Sequence, residues 1–131
     1  MITYRSDIKP TAAMISELYR AALLNRPVES LERIQRMYEG SNLILSAWHG
    51  DKLVGILRGW TDGAYDGYVS DLAVDPDYQK SGIGKVLLDQ ARSTAGCEVQ
   101  FILRASKIAV EYYEHIGWQK VENGWFCARS D

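Results

Sequence analysis

The chain has 131 residues, 47% of them hydrophobic and 24% charged, which suits one domain around a single core. Its 15 basic and 17 acidic side chains leave a net charge of −2, which tells against a general nucleic-acid binder, whose surface carries a basic surplus. No apolar run approaches the roughly 20 residues needed to span a bilayer. The opening Met1-Ile2-Thr3-Tyr4-Arg5-Ser6-Asp7 lacks the profile of a secretion signal, so a cytoplasmic protein is the expectation. Cys97 and Cys127 have no metal-ligand spacing and read as buried or edge thiols rather than a disulfide. His49 and His115 are too scattered for a metal cluster, so no metal is expected.

In chain order, Ile2–Arg5 alternates as a short strand. Thr11 caps a helix to Leu24, with Met14, Ile15, Leu18, Ala21 and Ala22 on one face. Asn25-Arg26-Pro27 interrupts it, and Ser30 caps a second helix that Gly40 ends. Leu43–Trp48 and Leu53–Trp60 form a hairpin about His49-Gly50-Asp51. After the turn region Thr61–Gly67, Tyr68–Val74 is a strand. Without a bulge, Tyr68, Ser70, Leu72 and Val74 share one face of it, and Val69, Asp71 and Ala73 the other. A helix from Ile83 to about Ala95 follows, closed by Gly96, then the strand Val99–Leu103. Ser106 caps a last helix through Ile116, which Gly117 ends. Trp118–Val121 and Trp125–Ala128 read as two closing strands about Glu122-Asn123-Gly124, Asn-Gly being a strong hairpin signal. The order predicts an α/β chain of one domain, residues 1–131: a mixed, mostly antiparallel sheet of six to seven strands, flanked on both faces by four helices.

The segment Val74-Asp75-Pro76-Asp77-Tyr78-Gln79-Lys80-Ser81-Gly82-Ile83-Gly84-Lys85 joins a strand to a helix through a glycine-bearing turn. The first N–H groups of a helix lack internal partners and sit at the positive end of its dipole, so such a turn is an anion site. Gly82 and Gly84 let a phosphate approach the backbone, and Lys80 and Lys85 add charge. A Walker A loop is excluded, because Val86 follows Gly84-Lys85 and Gln79 stands at the first glycine. A dinucleotide fingerprint is excluded by Leu87 at its third glycine.

What remains, Gln79-x-x-Gly82-x-Gly84 after a strand ending Val-Asp-Pro, resembles the central Gln/Arg-x-x-Gly-x-Gly/Ala motif of the GNAT superfamily of acyl-CoA-dependent N-acetyltransferases. A second stretch extends the likeness. Ala109, Tyr112, Tyr113, Gly117 and Trp118 fit that family's Asn-x-x-Ala-x-x-Phe-Tyr-x-x-x-Gly-Phe, with Ser106 in place of Asn. The resemblance covers essentially the whole chain, most firmly from Tyr68 to Trp118.

The resemblance implies acetyl-CoA as co-substrate. Backbone groups of Gln79, Lys80, Ser81, Gly82, Ile83, Gly84 and Lys85 are expected at its pyrophosphate. Leu72, Ala73 and Val74 are expected along its pantetheine, on a strand that splays from its neighbour, and Ser106 gives one further hydrogen bond. Tyr113 falls where the family often places a general acid. A phenol with a pKa near ~10 is protonated at neutral pH and suits the departing thiolate. Tyr112 is expected to pack. Asp71 is the best-placed base for an amine acceptor, directly or through water, or else a salt-bridging aspartate; Asp66 is the weaker candidate. Asp62, Asp66, Asp71, Asp75 and Asp77 favour a cationic acceptor through their field, or serve as turn formers. Asn25–Val28, Trp48, Trp60, Tyr65 and Tyr68 are candidate acceptor walls, or core. The expected partners are acetyl-CoA and an amine, small or peptidic, with no nucleic acid or membrane. A homodimer is consistent with the aromatic C-terminal end. A non-catalytic acyl-CoA-binding module on the same fold is the other reading.

Overall fold

The computed structural model describes residues 1–107 and 109–130. Ten elements follow one another: β1 (Ile2–Arg5), α1 (Ala12–Ala21), α2 (Leu31–Glu39), β2 (Leu43–His49), β3 (Lys52–Thr61), β4 (Asp66–Val74), a 3-10 turn (Pro76–Tyr78), α3 (Ile83–Ala95), β5 (Gln100–Leu103) and α4 (Val110–His115). The five strands form one sheet in sequence order, antiparallel from β1 to β4, with β5 parallel to β4. Short turns permit the antiparallel neighbours, and the α3 crossover returns the chain for the parallel one.

Helices cover both faces. On one, Ile83, Leu87, Leu88 and Ala91 of α3 meet Leu43, Leu45, Ala47, Val54, Leu57 and Val69. On the other, Ile15, Leu18 and Tyr19 of α1 and Ile34 and Tyr38 of α2 pack on Leu53, Ile56 and Ala73. The helix starts follow the sequence signals. Thr11 Oγ1 accepts from Met14 N at 3.2 Å and Ser30 Oγ from Arg33 N at 3.2 Å, filling donors that a helix start leaves empty.

Several expectations need correction. The sheet has five strands rather than six or seven, and no strand follows β5 among the described residues. The expected closing strands fail because Trp118 turns back onto Tyr113, with ring centroids 5.9 Å apart, instead of entering a ladder. Trp125 stands 98% exposed, so the Asn-Gly turn has no paired strands to join. Helix α1 stops at Ala21, three residues early, because Leu23 adopts a left-handed conformation at φ 58°. Helix α4 starts at Val110 with Ala109 as its uncapped flank, and Ser106 contributes only a turn bond, its carbonyl accepting from Ala109 N at 3.0 Å. Cys97 and Cys127 are both free and exposed, not buried. No helix among the described residues is long and apolar enough to cross a membrane.

The strand β4 carries the bulge that the alternation pattern omitted. Arg58 opposes Asp71, but Gly59 opposes Val69, so Ser70 is extra. The slip moves Val69 to the α3 face with Leu72 and Val74, and leaves Asp71 and Ala73 toward α1 and α2.

Candidate active site

The sheet opens at β4. Its pairing with β5 ends at Val69 and Leu103, while its pairing with β3 runs on to Val74. Ser70 through Val74 therefore lie along a gap where one edge of β4 has no strand beside it. That places Leu72, Ala73 and Val74 where an extended ligand can add its own polar groups to a strand edge.

The gap leads directly into the glycine turn. Lys80 and Gly82 both take left-handed backbone conformations, φ 74° and 81°, on either side of Ser81. Alternating conformations of this kind aim successive N–H groups at one point, a concavity suited to an anion. Gly82 is the N-cap of α3 and supplies no side-chain acceptor, so the first-turn N–H groups keep their capacity for a ligand. An added Cβ at Gly82 meets nothing within 4 Å. The need for glycine there is its φ, not space. The turn is braced from within: Gln79 Nε2 donates to Val74 O at 3.1 Å, and the Ser81 hydroxyl donates to the Tyr78 carbonyl. Lys85 pairs with Asp89 at 2.7 Å on the exposed side of α3.

At Gly84 the reason is different from the one its motif suggests. A Cβ there would stand 3.2 Å from Tyr112 Oη and 3.8 Å from Leu72 Cδ2. Tyr112, expected to be mere packing, thus leans its hydroxyl over the first turn of α3. Tyr113 packs against the α3-face core and lines, with Phe101, Leu103, Val110 and Trp118, a cavity of ≈ 210 Å³ between β5 and α4. Burial pushes the Tyr113 phenol up to about 12, and the neighbouring Tyr112 adds to the shift. Tyr113 therefore keeps its phenolic proton at neutral pH. Ser106 is exposed and does not line that cavity.

On the opposite face, Asp71 sits at the centre of a closed network, its side chain fully buried. Its carboxylate accepts from Tyr19 Oη at 2.6 Å, Arg26 Nε at 2.8 Å, Arg58 Nε at 2.7 Å and Ser70 Oγ at 3.1 Å. The Tyr38 hydroxyl is hydrogen-bonded to that of Tyr19. Since Tyr19 gives its proton to Asp71, Tyr38 donates in that pair. Arg26 also donates from Nη2 to Ser70 O at 2.8 Å, tying the link between α1 and α2 to β4. Burial alone would raise the Asp71 pKa, but the hydrogen bonds and charge of Arg58, with Arg26 and Tyr19, outweigh it and hold the carboxyl below its ordinary value. The geometry tells against Asp71 as a base. Its acceptor sites are occupied, and two guanidiniums oppose its protonation.

The other candidates are dispersed. Asp62 caps its own turn, accepting from Ala64, Tyr65 and Asp66 N–H groups at 2.8, 2.8 and 3.1 Å. Asp66 accepts from Gln100 Nε2 at 2.9 Å, and Asp75 from Asp77 N at 2.9 Å while pairing with Lys52 at 3.5 Å. Trp60 and Tyr68 stack with centroids 6.2 Å apart, and the Arg58 guanidinium lies 5.0 Å from the Trp60 ring centroid. Tyr65 is 65% exposed, and Trp48 packs beside the α1–α2 core. Arg58 and Tyr19 were not singled out from the sequence. For Arg58 the signal was there: it is the one charge within the apolar run Leu53–Trp60, and a charge in a central strand needs a buried partner.

Comparison with known proteins adds the following. The family model described as acetyltransferase (GNAT) domain matches residues 12–126. A relative from Arabidopsis thaliana, GCN5-related N-acetyltransferase 2, chloroplastic, is 32% identical over 75 residues, covering 56% of this chain and 29% of its own length. The chain spans 58% of another relative, the uncharacterized N-acetyltransferase ycf52 of Pyropia yezoensis, so it covers less than two thirds of either. A solved GNAT family acetyltransferase from Streptococcus pneumoniae superposes with a TM-score of 0.76 at 26% identity, covering 100% of both chains. An aminoglycoside N-acetyltransferase solved in complex with CoA shares the fold, with a TM-score of 0.73 at 14% identity, covering 100% of this chain and 96% of its own.

Proposed function

The chain belongs to the GNAT acetyltransferase family, and from that premise we propose that it transfers the acetyl group of acetyl-CoA to a primary amine. The observation that carries this reading is the continuity of the β4 gap with the left-handed glycine turn. A phosphate-bearing, extended ligand finds an anion cradle at one end and an unpaired strand edge at the other.

In this reading the turn from Gln79 to Lys85 holds the pyrophosphate and Leu72 to Val74 align the pantetheine through their backbone. Ser106 supplies a further hydrogen bond at the other wall. The neutral amine attacks the thioester carbonyl carbon, and a carbon–nitrogen bond forms. The carbonyl oxygen takes the charge and is met by a strand N–H. Collapse breaks the carbon–sulfur bond, and Tyr113 donates its phenolic proton to the thiolate, regaining one from solvent. The proton lost by the amine goes to water, since Asp71 is committed to its arginines. Asp71 then acts as a scaffold for the acceptor side. A homodimer is part of the same proposal. Its motive is the exposed Trp125 and Phe126, 98% and 66% accessible, and a monomer mass by light scattering would remove it.

The test is Tyr113→Phe. Thiol release with an amine acceptor should fall about 10²-fold or more, the scale of a lost general acid, while the Kd for acetyl-CoA stays within about twofold. Unchanged turnover at unchanged affinity would count against Tyr113. Acetyl-CoA binding without thiol release from any acceptor would favour the non-catalytic binding module.

A further inference from the structure

We infer that the acceptor carries an anionic group, a carboxylate, beside its amine, and that Arg26 receives it. This rests on the proposed transferase reading and narrows its substrate class. Two guanidiniums, Arg26 and Arg58, share one carboxylate, Asp71. Tyr19 and Tyr38 are kept neutral, since burial drives both phenols well above their ordinary value. The cluster thus holds one positive charge in excess, and no second carboxylate pairs with either arginine among the described residues.

That excess emerges at Arg26. The Arg58 side chain is 7% exposed and that of Asp71 0%, but Arg26 is 27% exposed. Of the five N–H donors of Arg26, Nε and Nη2 are spent on Asp71 and the Ser70 carbonyl, and Nη1 gives one to Asn25 O at 2.7 Å. One Nη1 donor is left without an acceptor among the described residues. Ser70, whose carbonyl accepts from Arg26 Nη2, is the first residue of β4 beyond its last pair with β5, so the half-buried guanidinium stands at the mouth of the gap, on the face opposite α3.

This reverses the expectation of a cationic acceptor drawn to an acidic rim. Asp71 is overbalanced, and Asp66 lies at the far end of β4, about 13 Å away along the strand. A polycation entering here meets a like charge, whereas a carboxylate gains a charge-assisted hydrogen bond, worth about 10- to 100-fold in binding.

Thiol release from acetyl-CoA is compared for three acceptors of one length: 5-aminopentanoate, pentylamine and 1,5-diaminopentane. The expected order of kcat/KM is amino acid, monoamine, diamine, with at least about tenfold between first and last. In Arg26→Gln the ratio should fall to about one. Because the ratio is taken within each variant, a partial loss of folded protein cancels. A flat or reversed order in the native protein, or a native order in Arg26→Gln, overturns the inference. Glutarate, which has no amine, separates the two readings by thermal melting. If it raises the Tm of the native protein and not of Arg26→Gln while no acceptor releases thiol, the anion site stands and the transferase reading falls. If glutarate does not shift the native Tm, the inference falls.

Discussion

Asp71 shows how far a residue's chemistry depends on neighbours distant in sequence. Its position on β4 made it the natural candidate base, yet Tyr19, Arg26 and Arg58 arrive from three other parts of the chain to claim its oxygens. Nothing local to Ser70-Asp71-Leu72 announces them. Asp71→Asn leaves the buried Arg58 and the half-buried Arg26 without their counter-charge, and we expect a loss of about 3–5 kcal/mol in urea unfolding. The pH dependence has a definite sign. The folded pKa lies below the ordinary 3.8, so the carboxylate's contribution is complete above that value and disappears as the pH falls through the lower folded one. Urea midpoints measured downward from about pH 6 should therefore hold until near the ordinary value and then drop, and the Asn variant should lack that share of the drop. Tyr113 makes the complementary point. Its place in the helical motif is visible in sequence, whereas the burial that raises its pKa exists only once the core and Trp118 pack around it.

At the scale of elements, the bulge at Arg58/Gly59 sets the arginine opposite Asp71. A Cβ on Gly59 would lie 2.2 Å from the Tyr68 carbonyl oxygen. That contact is with backbone, so β3 and β4 must separate to relieve it. Gly59→Ala should cost about 2 kcal/mol or more of stability, read by thermal or urea unfolding. It should also weaken the Trp60–Tyr68 stack, read by the near-ultraviolet circular dichroism of those rings. Gly82→Ala acts through conformation instead. Forcing an L-residue to φ 81° costs roughly 1–2 kcal/mol, and acetyl-CoA affinity should fall with it, as calorimetry will read. The helix starts at Thr11 and Ser30 were legible because capping is a local rule. The end of α1 was not, since a left-handed leucine carries no sequence mark. The C-terminal strands were over-read. Of Trp118–Val121 only Trp118 is partly buried, against Tyr113, while Gln119, Lys120 and Val121 are exposed, so apolar residues at the segment's two ends do not make a strand.

At the scale of the whole molecule, the order of strands and helices fixes most of the sheet: adjacent strands with short turns pair, and one helical crossover makes β5 parallel. The gap in that sheet is a different kind of feature. It arises because β5 is four residues long and pairs with β4 no further than Val69, a matter of register that the β4 residues themselves do not reveal. The likeness to a known family supplied the expectation of a splayed strand, and the register shows where the splay begins. The central claim is that this gap and the turn at Lys80–Gly82 form one continuous site for acetyl-CoA. Isothermal calorimetry with acetyl-CoA on the native chain and on Gly82→Ala tests it most directly. Saturable one-to-one binding to the native chain is expected, with about tenfold weaker binding to the variant, whose free turn relaxes and has to be forced back to the left-handed conformation, at ~1.4 kcal/mol, when the ligand binds. No saturable heat with the native chain, or equal affinity in a properly folded Gly82→Ala, would contradict it.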